Sequence, residues 1–183
     1  MRAKNRGTKR IKSDFYATPK DCIQNFLDHY GAINGRVLEP SAGNGNIVEV
    51  VKKSGKNTIT SVELRSEEAD NLRAVSSEVI IGDFLELKTD EKFDYIIGNP
   101  PYSLAQEFLE KCFEIADENT RIIMLLRTNF MESKKRYWFW QKHPVNALYV
   151  LSKRPSFTGK GTDATSYSWF VWDGTDKQTI KII

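Results

Sequence analysis

Four consecutive residues, Asn99-Pro100-Pro101-Tyr102, could do more chemistry than any other run of that length in this sequence. Two prolines in a row stiffen the backbone and leave carbonyls without local amide partners, and the asparagine beside them adds a side-chain acceptor. An amino group conjugated with a ring is a poor nucleophile because its lone pair is delocalised. The Asn99 side-chain oxygen and the Pro100 carbonyl could hold its two hydrogens and localise that lone pair toward an electrophile. Tyr102 offers a ring on which the planar group can stack, as a base turned out of a helix requires. A proline-rich turn with a core tyrosine has the same composition, but these residues directly follow the apolar run KFDYIIG, where a strand should end.

Three acids stand in comparable places. Glu39 ends the run RVLE and precedes a glycine-rich turn, Pro40-Ser41-Ala42-Gly43-Asn44-Gly45. Such a turn brings backbone amides close to a ligand, or simply makes a tight bend. A carboxylate at 39 suits a ligand with a positive amino group. A dinucleotide site wants a glycine or alanine three positions after Gly45, and Val48 stands there instead, which weakens an NAD or FAD reading. Glu63, 18 residues beyond Gly45, is placed to accept hydrogen bonds from ribose hydroxyls. Asp83 could accept from an adenine amino group while Phe84 packs on the base. Singly, each acid reads as a solvated loop residue; at three successive strand ends they form a pattern.

The elements that must position these residues alternate. A helix is expected from Thr18-Pro19 through DCIQNFLDHY, with Ile23, Phe26 and Leu27 on one face. Strands are expected at 36–40, 57–64, 77–83, 92–100 and 120–128, with a helix NIVEVVKKSG stopping at Gly55. Near-continuous Ile, Val and Leu runs between amphipathic segments indicate a parallel sheet covered on both faces, with ligands at the carboxyl ends of its strands. After a helical, basic-aromatic segment at 131–143, two further strands at 145–157 and 165–173 read as an antiparallel hairpin around the loop TGKGTDA.

Composition narrows the class. The 183 residues are 40% hydrophobic and 28% charged, enough to bury one core and unlike a disordered chain. No run reaches the roughly 20 apolar residues of a membrane-spanning helix, and the basic start MRAKNRGTKRIKSD has no apolar segment after it. Cys22 and Cys112 share no metal or disulfide spacing, which suits a reducing cytoplasm. His29 and His143 form no cluster with carboxylates, so no metal is implied; both read as helix-end or surface residues. Residues 1–12 hold six of the 27 basic residues and no acid, leaving 21 basic against 24 acidic residues in the remainder. That arm is either a solvated leader or a source of salt-dependent nucleic-acid affinity.

Taken in order, Phe15-Tyr16-Ala17-Thr18-Pro19, LEPSAGNG, Val62-Glu63-Leu64, Gly82-Asp83-Phe84 and NPPY resemble the amino-group class of S-adenosylmethionine (SAM) dependent methyltransferases, nearest to N6-adenine DNA methyltransferases of bacterial and bacteriophage type. The resemblance covers roughly residues 14–173. It implies a Rossmann-like class I methyltransferase fold: a seven-stranded, mostly parallel sheet with helices on both faces and a C-terminal antiparallel hairpin. It implies that Phe15, Tyr16, Thr18 and Pro19 border the methionine end of SAM, and that Glu39, Ser41, Ala42, Gly43 and Gly45 surround the methionine and sulfonium. Glu63 would take the ribose, Asp83 and Phe84 the adenine. Asn99, itself beside the cofactor, would act with Pro100, Pro101 and Tyr102 as the catalytic ledge holding the target.

The resemblance further implies a late aromatic residue stacking on the opposite face of the target base, for which Phe157 is the candidate; a core role at a strand end explains it equally. Substrate contact would fall to the basic arm, to Lys134, Lys135 and Arg136 with the aromatics after them, and to the loop carrying Lys160. An amphipathic helix with Trp and Phe in the core explains that basic-aromatic segment too. The expected organisation is a basic flexible tail at 1–13 and a single catalytic domain at 14–183, with no separate target-recognition region. A protein partner supplying recognition would fit that economy. The expected activity is direct methyl transfer from SAM to N6 of adenine in DNA, in a bacterial or phage-infected cytoplasm. Adenine in RNA, a protein glutamine amide and a catalytically idle SAM- or nucleic-acid-binding module are the alternatives.

Overall fold

The computed structural model describes residues 16–157, 161 and 163–183. The basic arm, Phe15 and Lys160 lie outside the described residues. Five apolar runs form parallel strands: β1 (Gly35–Glu39), β2 (Asn57–Glu63), β3 (Glu78–Ile81), β4 (Tyr95–Gly98) and β5 (Arg121–Arg127). Side chains alternate across a strand, so an unbroken apolar run feeds two cores at once. Val37, Ile97, Ile123 and Leu125 point to one face, and Leu38, Ile96, Ile122, Met124 and Leu126 to the other. Helices α1 (Lys20–Tyr30), α2 (Asn46–Ser54) and α3 (Ala69–Val75) bury their apolar sides in the first core; α4 (Ala105–Ile115) and α5 (Tyr137–Lys142) bury theirs in the second. Ile23, Phe26 and Leu27 of α1 are buried as expected. The Phe26 ring stacks on Trp169 at 4.8 Å and meets Tyr149 edge-on, a side chain whose burial contributes about 1.5–3 kcal/mol.

The sheet has eight strands, one more than expected, in the order β3-β2-β1-β4-β5-β7-β6-β8. β7 (Tyr167–Trp172) is antiparallel to both β5 and β6 (Ala147–Val150), and β8 (Thr179–Ile182) runs parallel to β6. The β8 run TIKI escaped the sequence reading because it is short and belongs to an edge, where Ile180 and Ile182 are both 75% exposed and feed no core. The strand expected over 145–157 stops at Val150. The next strand, β7, begins only at Tyr167, and Pro155, which lacks the N–H a ladder needs, lies in neither strand. The helix expected over 131–143 shrinks to α5, preceded by 3-10 turns at Thr128–Met131 and Lys134–Arg136. His29 does lie in the last turn of α1, and His143 caps α5 while stacking on Phe113. Among the described residues, no helix is long and apolar enough to cross a membrane.

From β1 the order steps outward through β2 and β3 on one side and through β4 and β5 on the other. The reversal opens a crevice at the carboxyl ends of β1 and β4, the strands that end in Glu39 and in Gly98-Asn99.

Candidate active site

The turn after β1 is held in shape by its glycines and by Glu63. Gly43 and Gly45 adopt φ of 56° and 83°, which an L side chain resists. A Cβ on Gly45 would also press to 3.1 Å from Val75 and 3.3 Å from Leu72 of α3. The Gly43 amide donates to Glu63 Oε2 at 2.7 Å, while Glu63 Oε1 accepts from the Arg65 amide at 3.0 Å and from its Nε at 2.8 Å. Arg65 also pairs with Glu68 at 3.2 Å. After β3, Asp83 Oδ1 caps the next turn by accepting from the Leu85 amide at 2.9 Å, and Phe84 is buried against Phe108 with centroids 5.1 Å apart.

After β4, the Asn99 side chain is oriented by two hydrogen bonds. Its Nδ2 donates to Thr18 Oγ1 at 3.0 Å and to the Tyr16 carbonyl at 3.3 Å. A carbonyl can only accept, so the amide nitrogen must face Tyr16 and the oxygen Oδ1 must face away. Oδ1 is buried without a partner. The Asn99 carbonyl in turn accepts from Ser41 Oγ at 3.2 Å, which ties the ledge to the glycine-rich turn. The Tyr102 hydroxyl lies buried near Asn99 and Tyr167, and desolvation drives its pKa far up. The rings of Tyr16 and Tyr102 lie nearly parallel at 6.0 Å, and Phe157 meets both edge-on at 6.1 and 6.3 Å.

One cleft unites much of the expected site. It brings together Tyr16, Thr18, Ser41, Ala42, Gly43, Glu63, Asp83, Phe84, Asn99 and Pro101. Tyr102 and Phe157 join it through Tyr16, at its rim. Pro19 caps α1, Gly45 caps α2 and the Pro100 side chain is buried beside Asn99 in the chain.

Glu39 departs furthest from expectation. It is fully buried beneath the turn, with Oε1 accepting from the Ser41 amide at 3.3 Å and Oε2 unpartnered. Desolvation raises its pKa well above the usual carboxylate range. A Cβ on Gly98 would come within 2.7 Å of Oε1, so the glycine ending β4 is what lets this acid fit.

Of the basic residues expected at substrate, Lys134 and Lys135 are exposed on the segment after β5, with Lys134 in a separate depression beside Tyr137 and Trp138. The Arg136 guanidinium instead donates to the carbonyls of Phe130 and Glu132 and lies over the Phe130 ring, which makes it a brace for its own loop. That segment divides: Phe139 enters the core and Trp140 packs against it, whereas Tyr137 and Trp138 are 53% and 76% exposed. The sequence reading missed Asn44, Asn46, Leu64, Arg65, Leu104 and Phe108, all of which line the cleft. Leu64, an apolar residue just past a strand end and 62% exposed, left a legible signal; Leu104 and Phe108 read as ordinary helix positions.

These coordinates define the class I methyltransferase fold. PH1948 from Pyrococcus horikoshii, described as an RNA methyltransferase, superposes with a TM-score of 0.69 at 20% identity, over 93% of this chain and 89% of its own. The 23S rRNA methyltransferase ErmE gives 0.63 at 16% identity, over 90% and 71%. No family model matches the chain. In sequence the chain is similar to the type II methyltransferase M.CvrRI of Paramecium bursaria Chlorella virus XZ-6E, 33% identical over 152 residues. That match takes in 69% of this chain and 40% of the viral protein, so the chain spans less than half the length of this relative. The similarity to viral DNA-modifying enzymes agrees with the resemblance read from the motifs.

Proposed function

We propose that the cleft binds SAM and that the chain transfers its methyl group to the exocyclic N6 of adenine in DNA. The observation that carries this reading is the Asn99 side chain: both amide hydrogens are engaged by Tyr16 and Thr18, and the one acceptor left over is buried and unpaired. A buried acceptor without a donor costs about 1–3 kcal/mol, which a planar amino group entering among the rings would recover.

The residues present fit SAM. Asp83 and Phe84 both line the cleft, and Asp83 Oδ1 alone is taken up by the Leu85 amide, which leaves a second oxygen for an adenine amino group. Glu63 Oε2 carries only the Gly43 bond and keeps acceptor capacity for a ribose hydroxyl. The cofactor supplies an electrophilic methyl and leaves as S-adenosylhomocysteine. The chain's own part is orientation. Asn99 Oδ1 and the Pro100 carbonyl hold the amino hydrogens so that the nitrogen lone pair points into the cleft, and Tyr102 with Phe157 fixes the ring plane. No base is built into the ledge: Asn99 is a neutral amide, and burial keeps the Tyr102 hydroxyl protonated. A base held between two rings needs about 7 Å, so Tyr16 must part from Tyr102 by about an ångström for one to enter there.

The test offers labelled SAM to unmethylated duplex DNA, single-stranded DNA, ribosomal RNA and a protein extract in parallel, with Asn99→Ala as control. Label recovered from DNA as N6-methyladenine, and lost in the variant, is the expected result. Label confined to RNA or protein moves the substrate, and none anywhere leaves a binding module.

A further inference from the structure

Other arginines on the carboxyl edge of the sheet are held by carboxylates or by backbone carbonyls. Arg65 holds Glu63 and Glu68, Arg136 holds the carbonyls of Phe130 and Glu132, and Arg154 reaches those of Asp163 and Ala164. Arg127, the last residue of β5, is different. It is exposed, and among the described residues its one hydrogen bond runs from Nε to the Tyr167 hydroxyl at 3.4 Å. Tyr167 in turn donates to Asp163 Oδ2 at 2.8 Å, and Asp163 attracts Arg127 at longer range without forming an ion pair with it. The guanidinium lies over the Tyr102 ring, 4.6 Å from its centroid.

This placement fixes the arginine without satisfying it. A guanidinium carries five N–H donors, and here one is used while the ring beneath and the Tyr167 hydroxyl hold the plane. Nη1 and Nη2 therefore present an open planar fork, whose natural complement is a pair of anionic oxygens. The position says which anion. A base stacked on Tyr102 stays joined to its sugar and to the phosphates on either side, so the strand's backbone must pass close to that ring.

We infer that Arg127 is a further substrate-binding residue, anchoring a backbone phosphate of the strand that carries the target adenine. The inference rests on the reading of the chain as a nucleic-acid methyltransferase and adds a contact which that reading does not require.

The test measures duplex DNA binding against salt concentration for the full chain, Arg127→Gln and Arg127→Lys, with SAM affinity checking that each variant is folded. Losing one phosphate contact should lower the slope of log affinity against log salt by about 1. It should raise KM for DNA about tenfold, leaving kcat within a few-fold. Arg127→Lys should recover the slope. In the wild-type chain, neutral methylphosphonates flanking the methylated adenine should weaken binding, and Arg127→Gln should lose little more on the same DNA. A slope unchanged in Arg127→Gln, or wild-type indifference to the neutral linkages, overturns the assignment while methylation by the wild-type chain leaves the proposed function standing. Failure of the wild-type chain to bind or methylate DNA removes both.

Discussion

Along one edge of the sheet, the loops after β1, β2 and β3 differ from those after β4 and β5 in how completely their polar atoms are partnered. On the first side, both Glu63 oxygens accept from protein donors, Asp83 caps its own turn and the Gly43 amide is bonded. On the second, the Asn99 oxygen and the Tyr102 hydroxyl are buried without partners, and the Arg127 fork is open. The first side keeps its shape alone, as a surface must if it is to receive the same small molecule on every turnover. The second holds its acceptors and rings in place for a group that brings its own donors, and tolerates the cost of unpaired atoms until that group arrives. Glu39 lies beneath both and belongs to neither: it is fully buried, with one carboxylate oxygen unpartnered.

The sharpest way to break this contrast is at Asn99. Asn99→Ala should lower methyl transfer by about 10²–10³-fold, since one positioned polar group at a reacting centre is typically worth that much. Initial rates with labelled SAM read it directly. Next in size, Tyr102→Ala removes the stacking surface and should raise KM for DNA by about tenfold to a hundredfold, the equivalent of one lost base–aromatic stack. Asp83→Ala acts on the other side and should weaken SAM about tenfold by calorimetry, leaving DNA affinity unchanged; unaltered SAM binding would detach Asp83 from the cofactor.

The smallest effect concerns Glu39 and pH. Burial raises its pKa in the folded chain above the ordinary 4.5, so over the window between the two values the folded chain keeps a proton that the unfolded chain has lost. Stability must then fall as pH rises through that window. Glu39→Gln should abolish the decline in the urea midpoint; a decline that survives the substitution assigns it to another group.

Most of the fold was legible because its central strands are apolar on both faces and its first two helices are bounded by proline or glycine. Val37-Leu38 and Ile122 to Leu126 announce a doubly covered sheet, and Gly55 stops α2 where expected. What failed was at the far edge. β8 packs on a neighbour through backbone bonds and leaves its isoleucines outside, so no periodicity marks it. The site was legible wherever a residue type is unusual at its position, as in NPPY and the three strand-end acids. It was not legible where the decisive fact is a partner: nothing in the sequence tells that Glu39 is enclosed, that Arg136 braces a loop or that Arg127 is left open.

The contrast between the two sides is tested most directly by calorimetric titration of SAM into the wild-type chain and into the Asn99→Ala, Tyr102→Ala double variant, without nucleic acid. If the cofactor side is complete in itself, both bind SAM with affinities within about threefold, less than 1 kcal/mol, while only the wild-type chain transfers methyl. Affinity that collapses together with transfer would show the ledge to be part of the cofactor site and would contradict the division drawn here.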